Sequence, residues 1–265
     1  MRKAKIALII LGVVFLLSCL SFSLFIQQQY VAPIAMYHSV EPEAPPSNRL
    51  AVTPQTFERQ MRFLKKFGYN VISLEELAGL IRQKKRIPSR TVALTFDDGY
   101  KNIYTYAFPI LKKYRLPATA FIIVKEVGRP QNDRLSWEEI REMRDSGLVD
   151  IGSHCLGPEP LVNLESEQQL HNEIFESKRI LEEKTGGAVS TFSYPEGRFN
   201  PHIRQLVIDA GYSLAAATSP GKRFTDDDVF ALKRLRISSN SDNLLVYCIE
   251  ISGFYTFIKE HRDDD

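Results

Sequence analysis

Cysteine is scarce in this chain of 265 residues. There are three, at Cys19, Cys155 and Cys248, and no two are spaced as Cys-x-x-Cys. This pattern excludes a disulfide framework and a cysteine zinc cluster. A strong excess of charge is absent too, since 34 basic residues face 32 acidic ones. Nucleic-acid-binding domains usually carry a marked basic excess, so we expect no nucleic-acid partner.

Charge is missing altogether from residues 6–26. Seventeen of these 21 residues are apolar, and at about 1.5 Å per residue a helix of this length spans roughly 31 Å, enough for the hydrocarbon core of a bilayer. Arg2, Lys3 and Lys5 precede the run, so the positive-inside rule predicts a cytoplasmic N-terminus. We therefore expect a single-pass signal anchor in the cell membrane, with the rest of the chain on the extracytoplasmic side. A cleaved signal peptide, or a lipoprotein processed at Cys19, would export the rest as well.

The chain is thus predicted to have four parts: a basic cytoplasmic tail (1–5), the anchor (6–26), one domain (27–258) and a charged C-terminal tail (259–265). Beyond the basic tail, 31 basic residues face 32 acidic ones, so the exported domain is nearly neutral. Strand-like runs alternate with helical segments through this domain. Such alternation predicts a parallel sheet with crossover helices, and about seven or eight units favour an α/β barrel over an open sheet.

Three predicted strands end in chemically notable residues. Asp97-Asp98-Gly99 follows the run TVALTF, His154 follows VDIGS, and Tyr194-Pro195-Glu196 closes a third strand. In α/β barrels, chemistry is located at the carboxyl ends of the strands. Adjacent carboxylates ionise together at low cost only near a cation, and neutral imidazole is a good zinc ligand. Taken singly, each segment is also explained by a solvated turn or a structural histidine.

Together the three segments resemble the polysaccharide deacetylase family, also called the NodB-homology or carbohydrate esterase family 4 fold. Thr-Phe-Asp97-Asp98-Gly is similar to its first motif, His154 to the first histidine of its His-Ser/Thr-x-x-His motif, and Phe-x-Tyr194-Pro195-x-Gly to its third. The similarity covers about residues 32–240, including Met-Tyr-His38 near the start. It implies a distorted (β/α) barrel of the NodB type that hydrolyses acetyl groups from a cell-surface or extracellular polysaccharide, breaking a carbon–nitrogen, non-peptide bond.

The resemblance also implies a mechanism. Asp98 and His154 would bind a divalent metal, with zinc as the expected ion, and Asp97 would act as general base on the metal-bound water. Backbone at the third motif, Tyr194-Pro195-Glu196, would hold substrate and the oxyanion. Arg234 would pair with Asp97 and orient it.

The chain departs from the family pattern at several positions. Pro158 stands where the second metal histidine belongs, and a proline side chain offers no donor. Glu159 and His38 are the alternative ligands. Arg236 is a rival to Arg234 as the partner of Asp97. The late Leu-x-His motif, which supplies a general acid in the family, is absent.

These departures leave three interpretations of function. The first is a membrane-anchored, metal-dependent polysaccharide deacetylase. The second is a pseudoenzyme of the same fold that binds or scaffolds glycan without turnover, which the proline at position 158 motivates. The third is a phosphate-directed hydrolase using Asp97-Asp98 on Mg²⁺, which the absence of a Gly-rich phosphate loop disfavours.

Overall fold

The computed structural model describes residues 10–21, 30–44, 48–129, 133–218 and 228–255. Residues 10–21 are helical, and their large apolar side chains are exposed. No helix in these described ranges is both long and apolar enough to cross a membrane. The transmembrane helix expected over 6–26 is therefore not confirmed, and its two ends, 6–9 and 22–26, lie outside the described residues. The expected tails, 1–5 and 259–265, lie outside them as well.

Short strands and helices alternate through the domain, as the sequence predicts. The strands are β1 (Ile34–Tyr37), β2 (Ser39–Val40), β3 (Ala51–Val52), β4 (Asn70–Ile72), β5 (Thr91–Phe96), β6 (Ala118–Ile122), β7 (Val149–Ser153), β8 (Thr191–Ser193), β9 (Leu214–Ala217), β10 (Leu232–Lys233) and β11 (Leu235–Arg236). The α-helices are α1 (Pro54–Lys66), α2 (Leu74–Arg82), α3 (Phe108–Tyr114), α4 (Trp137–Asp145), α5 (Glu167–His171), α6 (Ser177–Thr185), α7 (Pro201–Asp209) and α8 (Leu244–Glu250). Two π-helical turns, Ile103–Ala107 and Asn172–Glu176, lead into α3 and α6.

Capping side chains fix where several helices begin. The hydroxyl of Thr53 accepts a hydrogen bond from the Thr56 N–H, with Pro54 in the first turn of α1. The hydroxyl of Ser136 and the carboxylate of Glu139 form a reciprocal capping box at α4. These caps satisfy backbone N–H groups that have no partner inside the helix.

Nine strands form one sheet in which every pair is parallel, in the order β10-β9-β8-β7-β6-β5-β1-β11, with β4 also paired to β5. The two ends of this order are consecutive in the chain. Leu232 pairs with Ala216 of β9, whereas Leu235 pairs with Ala35 of β1. One extended segment therefore joins both edges of the sheet and makes a nearly closed barrel, with Arg234 at the junction.

Along each strand, successive side chains point alternately to the inside and to the outside of the barrel. On β5, Val92, Leu94 and Phe96 pack outward against the helices. Ala93 faces inward and joins a separate cluster inside the barrel. Helix α2 contributes Leu74, Leu77 and Ala78 to that inner cluster. It thereby closes the barrel at the end where the strands begin, which leaves the opposite end for the site.

Gly152 on β7 makes room inside the barrel. A Cβ at this position would lie 2.5 Å from Phe121 Cδ1 and from Thr191 Oγ1. Real Cβ contacts are never this short, so only glycine lets the fully buried Phe121 ring fill the barrel. That ring lies under the Arg234 guanidinium at 5.4 Å from its centroid. The glycine therefore supports the floor of the site.

Candidate active site

The carboxyl ends of neighbouring strands bring the expected residues together. His38 follows β1, Asp97 follows β5, and His154 follows β7. In each case an inward-facing residue of the strand lies an even number of positions earlier. Because the side chains of a strand alternate between its two faces, all three residues point toward the barrel axis. They line one cavity of about 390 Å³. Its wall also includes Met36, Asp98, Arg134, Pro158, Tyr194, Pro195, Glu196, Thr218 and Arg236.

Asp97 and Arg234 form a buried, bidentate ion pair. Arg234 Nη1 donates to Asp97 Oδ1 at 2.6 Å, and Nη2 donates to Oδ2 at 2.7 Å. Arg234 Nη2 also donates to Ser193 Oγ at 2.8 Å, and Nη1 to Thr95 Oγ1 at 3.3 Å. The side chains of Asp97 and Arg234 are almost fully buried. The guanidinium therefore holds the carboxylate in a single orientation.

This pair keeps Asp97 ionised. Burial alone raises the pKa of the Asp97 carboxyl. The positive charges of Arg234 and His154 and the hydrogen bonds from Arg234 outweigh that effect and lower the pKa to about 2. Asp97 is consequently a carboxylate at neutral pH and accepts protons rather than donating them.

A backbone carbonyl sets the tautomer of His154. Nδ1 lies 2.8 Å from the carbonyl oxygen of Ser193, which only accepts hydrogen bonds. The proton must therefore be on Nδ1, and in the neutral ring the Nε2 lone pair is available. Nε2 lies 3.5 Å from Asp98 Oδ1 and 3.9 Å from Asp97 Oδ2. This carbonyl–histidine arrangement is the one that orients metal-binding histidines in proteins.

Asp98 and His154 stabilise each other's charged form. Asp98 has a φ of 70°, a left-handed conformation rare for a residue with a side chain. Burial raises the pKa of Asp98, but the hydrogen bond and charge of His154 lower it below its usual value. Burial lowers the pKa of His154, but Asp98 and Asp97 raise it above its usual value. A cation bound by both Asp98 and His154 would take the place of this mutual stabilisation of their charges.

His38 is the one of the two alternative ligands that the structure places in the cavity. Its Nδ1 is buried and makes no hydrogen bond to the described residues. Burial, with smaller contributions from the charges of Arg234 and His154, lowers the pKa of the ring despite the opposing effect of Asp97 and Asp98. His38 is therefore a neutral imidazole with an unpaired nitrogen.

Glu159 and Cys155 are held elsewhere. Glu159 is exposed, does not line the cavity, and accepts a hydrogen bond from Asn163 Nδ2 at 2.6 Å. β7 ends at Ser153, and Cys155, two residues later, has a φ of 67°. The thiol is part of the outer core and fully buried. Pro158 itself lines the cavity.

The third motif forms a tight turn at the cavity edge. Glu196 has a φ of 55°, and its side chain is exposed beside Arg198, 3.3 Å away. A Cβ on Gly197 would overlap Thr218, so the turn packs directly on the end of β9. The Tyr194 hydroxyl donates to the Phe230 carbonyl oxygen at 3.1 Å, and its ring stacks on Phe199. Tyr194 therefore supports the turn with its hydroxyl already paired.

Two further arginines line the cavity. Arg134 donates from Nη1 to the Asp98 carbonyl oxygen at 2.9 Å, and its guanidinium lies over the Tyr100 ring at 4.0 Å. No motif marks Arg134, so sequence reasoning missed it. Arg236 is exposed at the mouth, while Arg234 is the one that reaches Asp97. Both side chains face inward. Arg234 lies deep in the barrel, where it binds Asp97, and Arg236 lies at the mouth of the cavity.

The donor set fits a metal only in part. In a tetrahedral zinc site with bonds of about 2.0–2.1 Å, two ligand atoms lie roughly 3.4 Å apart. The 3.5 Å between Asp98 Oδ1 and His154 Nε2 matches that spacing. Among the described residues, however, no group of three His, Cys, Asp or Glu side chains is placed to hold a metal. Two donors therefore fit, and Pro158, which stands where the resemblance to the family places a second histidine, lines the same cavity.

Comparison with known proteins agrees with the fold and the motifs. The sequence pattern of the polysaccharide deacetylase family matches residues 84–215. The chain is 34% identical over 206 residues to YxkH of Bacillus subtilis, whose name places it among polysaccharide deacetylases; the match covers 78% of this chain and 71% of YxkH. It is 32% identical over 181 residues to a poly-beta-1,6-N-acetyl-D-glucosamine N-deacetylase of Staphylococcus aureus, covering 62% and 61%. The solved structure of Streptococcus pyogenes deacetylase PplD in complex with acetate superposes with a TM-score of 0.73 at 28% identity, covering 82% of this chain and 98% of PplD.

The fold and the cavity define a nearly closed parallel barrel of the NodB type, with its acidic and histidine side chains at the carboxyl ends of the strands. The chain belongs to the polysaccharide deacetylase family. The barrel expected from the sequence is thus confirmed.

Proposed function

We propose that this protein hydrolyses acetyl groups from a polysaccharide with the help of a divalent metal. One observation carries the proposal: an ionised, arginine-held Asp97 lies beside two metal-type donors, Asp98 and His154, in an open cavity. This is the combination that metal-assisted hydrolysis needs, a base next to a site for an activated water.

Each residue has a defined task in this proposal. Asp97 takes a proton from the attacking water at the side of the carboxylate that faces His154. The same proton passes to the sugar nitrogen as its bond to the acetyl carbon breaks, which releases acetate and the amine. Arg234 fixes the direction of that carboxylate and keeps it ionised. The backbone of the turn Pro195–Gly197 lies at the cavity edge, where its N–H groups are candidates for holding the oxyanion.

The metal would be held by Asp98 and His154. When bound, a divalent ion polarises the acetyl carbonyl and lowers the pKa of a bound water. The Ser193 carbonyl keeps His154 in the tautomer that offers Nε2. His38, whose neutral ring lines the same cavity, is our candidate for the donor that the proline at position 158 does not supply.

The substrate class follows from the relatives. The staphylococcal relative acts, by its name, on poly-β-1,6-N-acetyl-D-glucosamine. We therefore choose oligomers of β-1,6-linked N-acetylglucosamine as the first substrate, with acetylated chitin oligomers and peptidoglycan as alternatives. Acetate released from each by the full chain would rank the three, and hydrolysis of none of them would overturn the proposal.

A second candidate function rests on Pro158. A two-donor site binds metal more weakly than a three-donor one, so the barrel would retain its glycan cavity without turnover. Glycan binding measured by calorimetry, with no acetate release at saturating zinc, would favour this candidate over hydrolysis.

We also propose that the protein is a single-pass membrane protein whose domain acts on the extracytoplasmic side. The uncharged run 6–26 and the basic residues before it support this topology. The exposed apolar side chains of the helical residues 10–21 are consistent with a lipid environment. Protease treatment of intact cells would digest the domain if this topology is correct.

A further inference from the structure

Tyr30 fixes the chain at the end of the barrel opposite the active site. Its hydroxyl donates to the Thr91 carbonyl oxygen at 3.1 Å and accepts from the Thr91 N–H at 2.9 Å. Thr91 is the first residue of β5, whereas Asp97 and Asp98 follow its last residue. At about 3.3 Å per residue, Thr91 and Asp97 are separated by roughly 20 Å.

The C-terminal part of the domain packs against the same point. The Val31 N–H donates to the Gly253 carbonyl oxygen at 2.9 Å, and the Tyr30 and Phe254 rings meet edge to face at 5.8 Å. A Cβ on Gly253 would overlap the Tyr30 ring. The position where the chain enters the barrel is therefore held by contacts from β5 and from the segment after α8.

A basic cavity opens beside this entry point. It has a volume of about 310 Å³ and is lined by Tyr30, Lys85, Arg86, Ile87, Ser89 and Phe254. No lining residue is acidic. The chain from 77 to 96 carries five basic residues and no acidic one. Lys85 and Arg86 provide two cations, Ser89 provides a hydroxyl, and Ile87 and Phe254 provide an apolar wall. This combination suits a phosphate group attached to a glycerol or acyl chain.

The length of the connecting segment places this cavity at a membrane surface. Three residues, 27–29, separate the apolar run 6–26 from Tyr30. Fully extended, the four steps from residue 26 to Tyr30 reach at most about 14 Å. If residues 6–26 cross the bilayer, the cavity must therefore lie at the level of the lipid headgroups.

We propose that this cavity, the headgroup cavity, binds the headgroup of an anionic phospholipid in the membrane that anchors the chain. This rests on the anchoring part of the proposed function. Binding there turns the strand-start end of the barrel toward the membrane. The catalytic cavity then faces away from the lipid, roughly a strand length above the headgroup cavity, where a polymer strand has access.

Native mass spectrometry of the full chain in a mild non-ionic detergent tests the proposal. The protein is offered an equimolar mixture of phosphatidylglycerol and phosphatidylcholine with identical acyl chains. We expect at least a fivefold preference for phosphatidylglycerol, and its loss in the double variant Lys85→Gln/Arg86→Gln. The matched control, Lys101→Gln/Lys125→Gln, removes two cations near the catalytic end and should keep the preference.

The outcomes separate clearly. Equal binding of the two lipids, or a preference that survives the Lys85/Arg86 change, would overturn the proposal. Displacement of the lipid by an equal concentration of glycerol phosphate would identify a soluble phosphate ligand and overturn it as well. Thermal unfolding of each variant checks that it is folded. Acetate release, measured in parallel, reports on the proposed hydrolysis separately, because Lys85 and Arg86 lie away from the active site.

Discussion

Arg234 and Asp97 are 137 positions apart in sequence, yet both terminal nitrogens of the guanidinium meet both oxygens of the carboxylate, at 2.6 and 2.7 Å. Arg234 also lies between Lys233, the last residue of β10, and Leu235, the first residue of β11, which is where the barrel closes. The same contact therefore contributes to the fold and sets the charge of the proposed general base.

The first prediction concerns this pair. Arg234→Gln leaves the Asp97 carboxylate buried without its partner, which should lower the free energy of unfolding by about 3–5 kcal/mol, as measured in urea. Arg236→Gln is the matched control, because Arg236 is exposed and should change stability by less than about 0.5 kcal/mol. Equal losses in the two variants would contradict the assignment of Arg234 as the structural partner.

The second prediction is a pH dependence of stability in the metal-free protein. The pKa of Asp97 is lowered to about 2 in the folded protein, against about 3.9 when unfolded. A lowered folded pKa stabilises the protein above the unfolded value, and that stabilisation is lost as pH falls through the folded value. Unfolding free energies should therefore fall between pH 4 and pH 2.

Asp97→Asn should flatten this part of the curve. The control Asp209→Asn removes an exposed carboxylate whose Oδ1 accepts a hydrogen bond from the Gln205 amide, and it should keep the wild-type slope. A wild-type slope in Asp97→Asn would mean that other carboxylates are responsible.

The third prediction concerns the missing donor. Pro158→His places an imidazole in the wall of the cavity that Asp98 and His154 also line. It should tighten zinc binding by more than about 10-fold in calorimetry, since even outer partners of a metal site change affinity by about 10- to 100-fold. His38→Ala should weaken zinc binding in the wild-type background. His171→Ala is the control, because His171 is exposed, lies outside the cavity and stacks on Phe175. Unchanged affinity in His38→Ala would exclude His38 as a ligand.

The fourth prediction compares the effect of an alanine substitution on stability at two glycines. Gly152→Ala forces a Cβ into Phe121 and Thr191 and should cost about 1–3 kcal/mol of stability. Gly79→Ala, inside α2 with nothing within 4 Å of the added Cβ, should instead stabilise the protein by about 0.5–1 kcal/mol. Thermal or urea unfolding measures both. A neutral Gly152→Ala would contradict the packing of the barrel interior described above.

The sequence was sufficient for much of the fold, for physical reasons. The alternation of short apolar runs with capped helices predicts a parallel barrel, and the structure has one. Asp97 and His154 were predictable because strand-end positions in a parallel sheet lie side by side. The division of residues 232–236 at Arg234 between the two edges of the sheet could not be predicted in this way, because it depends on how the barrel closes.

Other parts of the site have no local signal. Arg134 lines the cavity and donates a hydrogen bond to the Asp98 carbonyl oxygen, although the two residues are 36 positions apart in sequence. Whether Glu159 lines the cavity depends on the loop after β7, whose path is set by contacts such as the hydrogen bond from the Gly157 N–H to Glu173. Such long-range contacts are invisible to motif spacing.

The central claim is our proposal that the site hydrolyses acetyl groups although Pro158 stands where the resemblance to the family places a second histidine. The most direct test measures bound zinc and released acetate on one preparation of the full chain, beside Asp97→Asn and Pro158→His. The account predicts stoichiometric zinc and acetate release in the wild type, and zinc without acetate release in Asp97→Asn. Absence of both zinc and acetate in the wild type, with both appearing in Pro158→His, would contradict it.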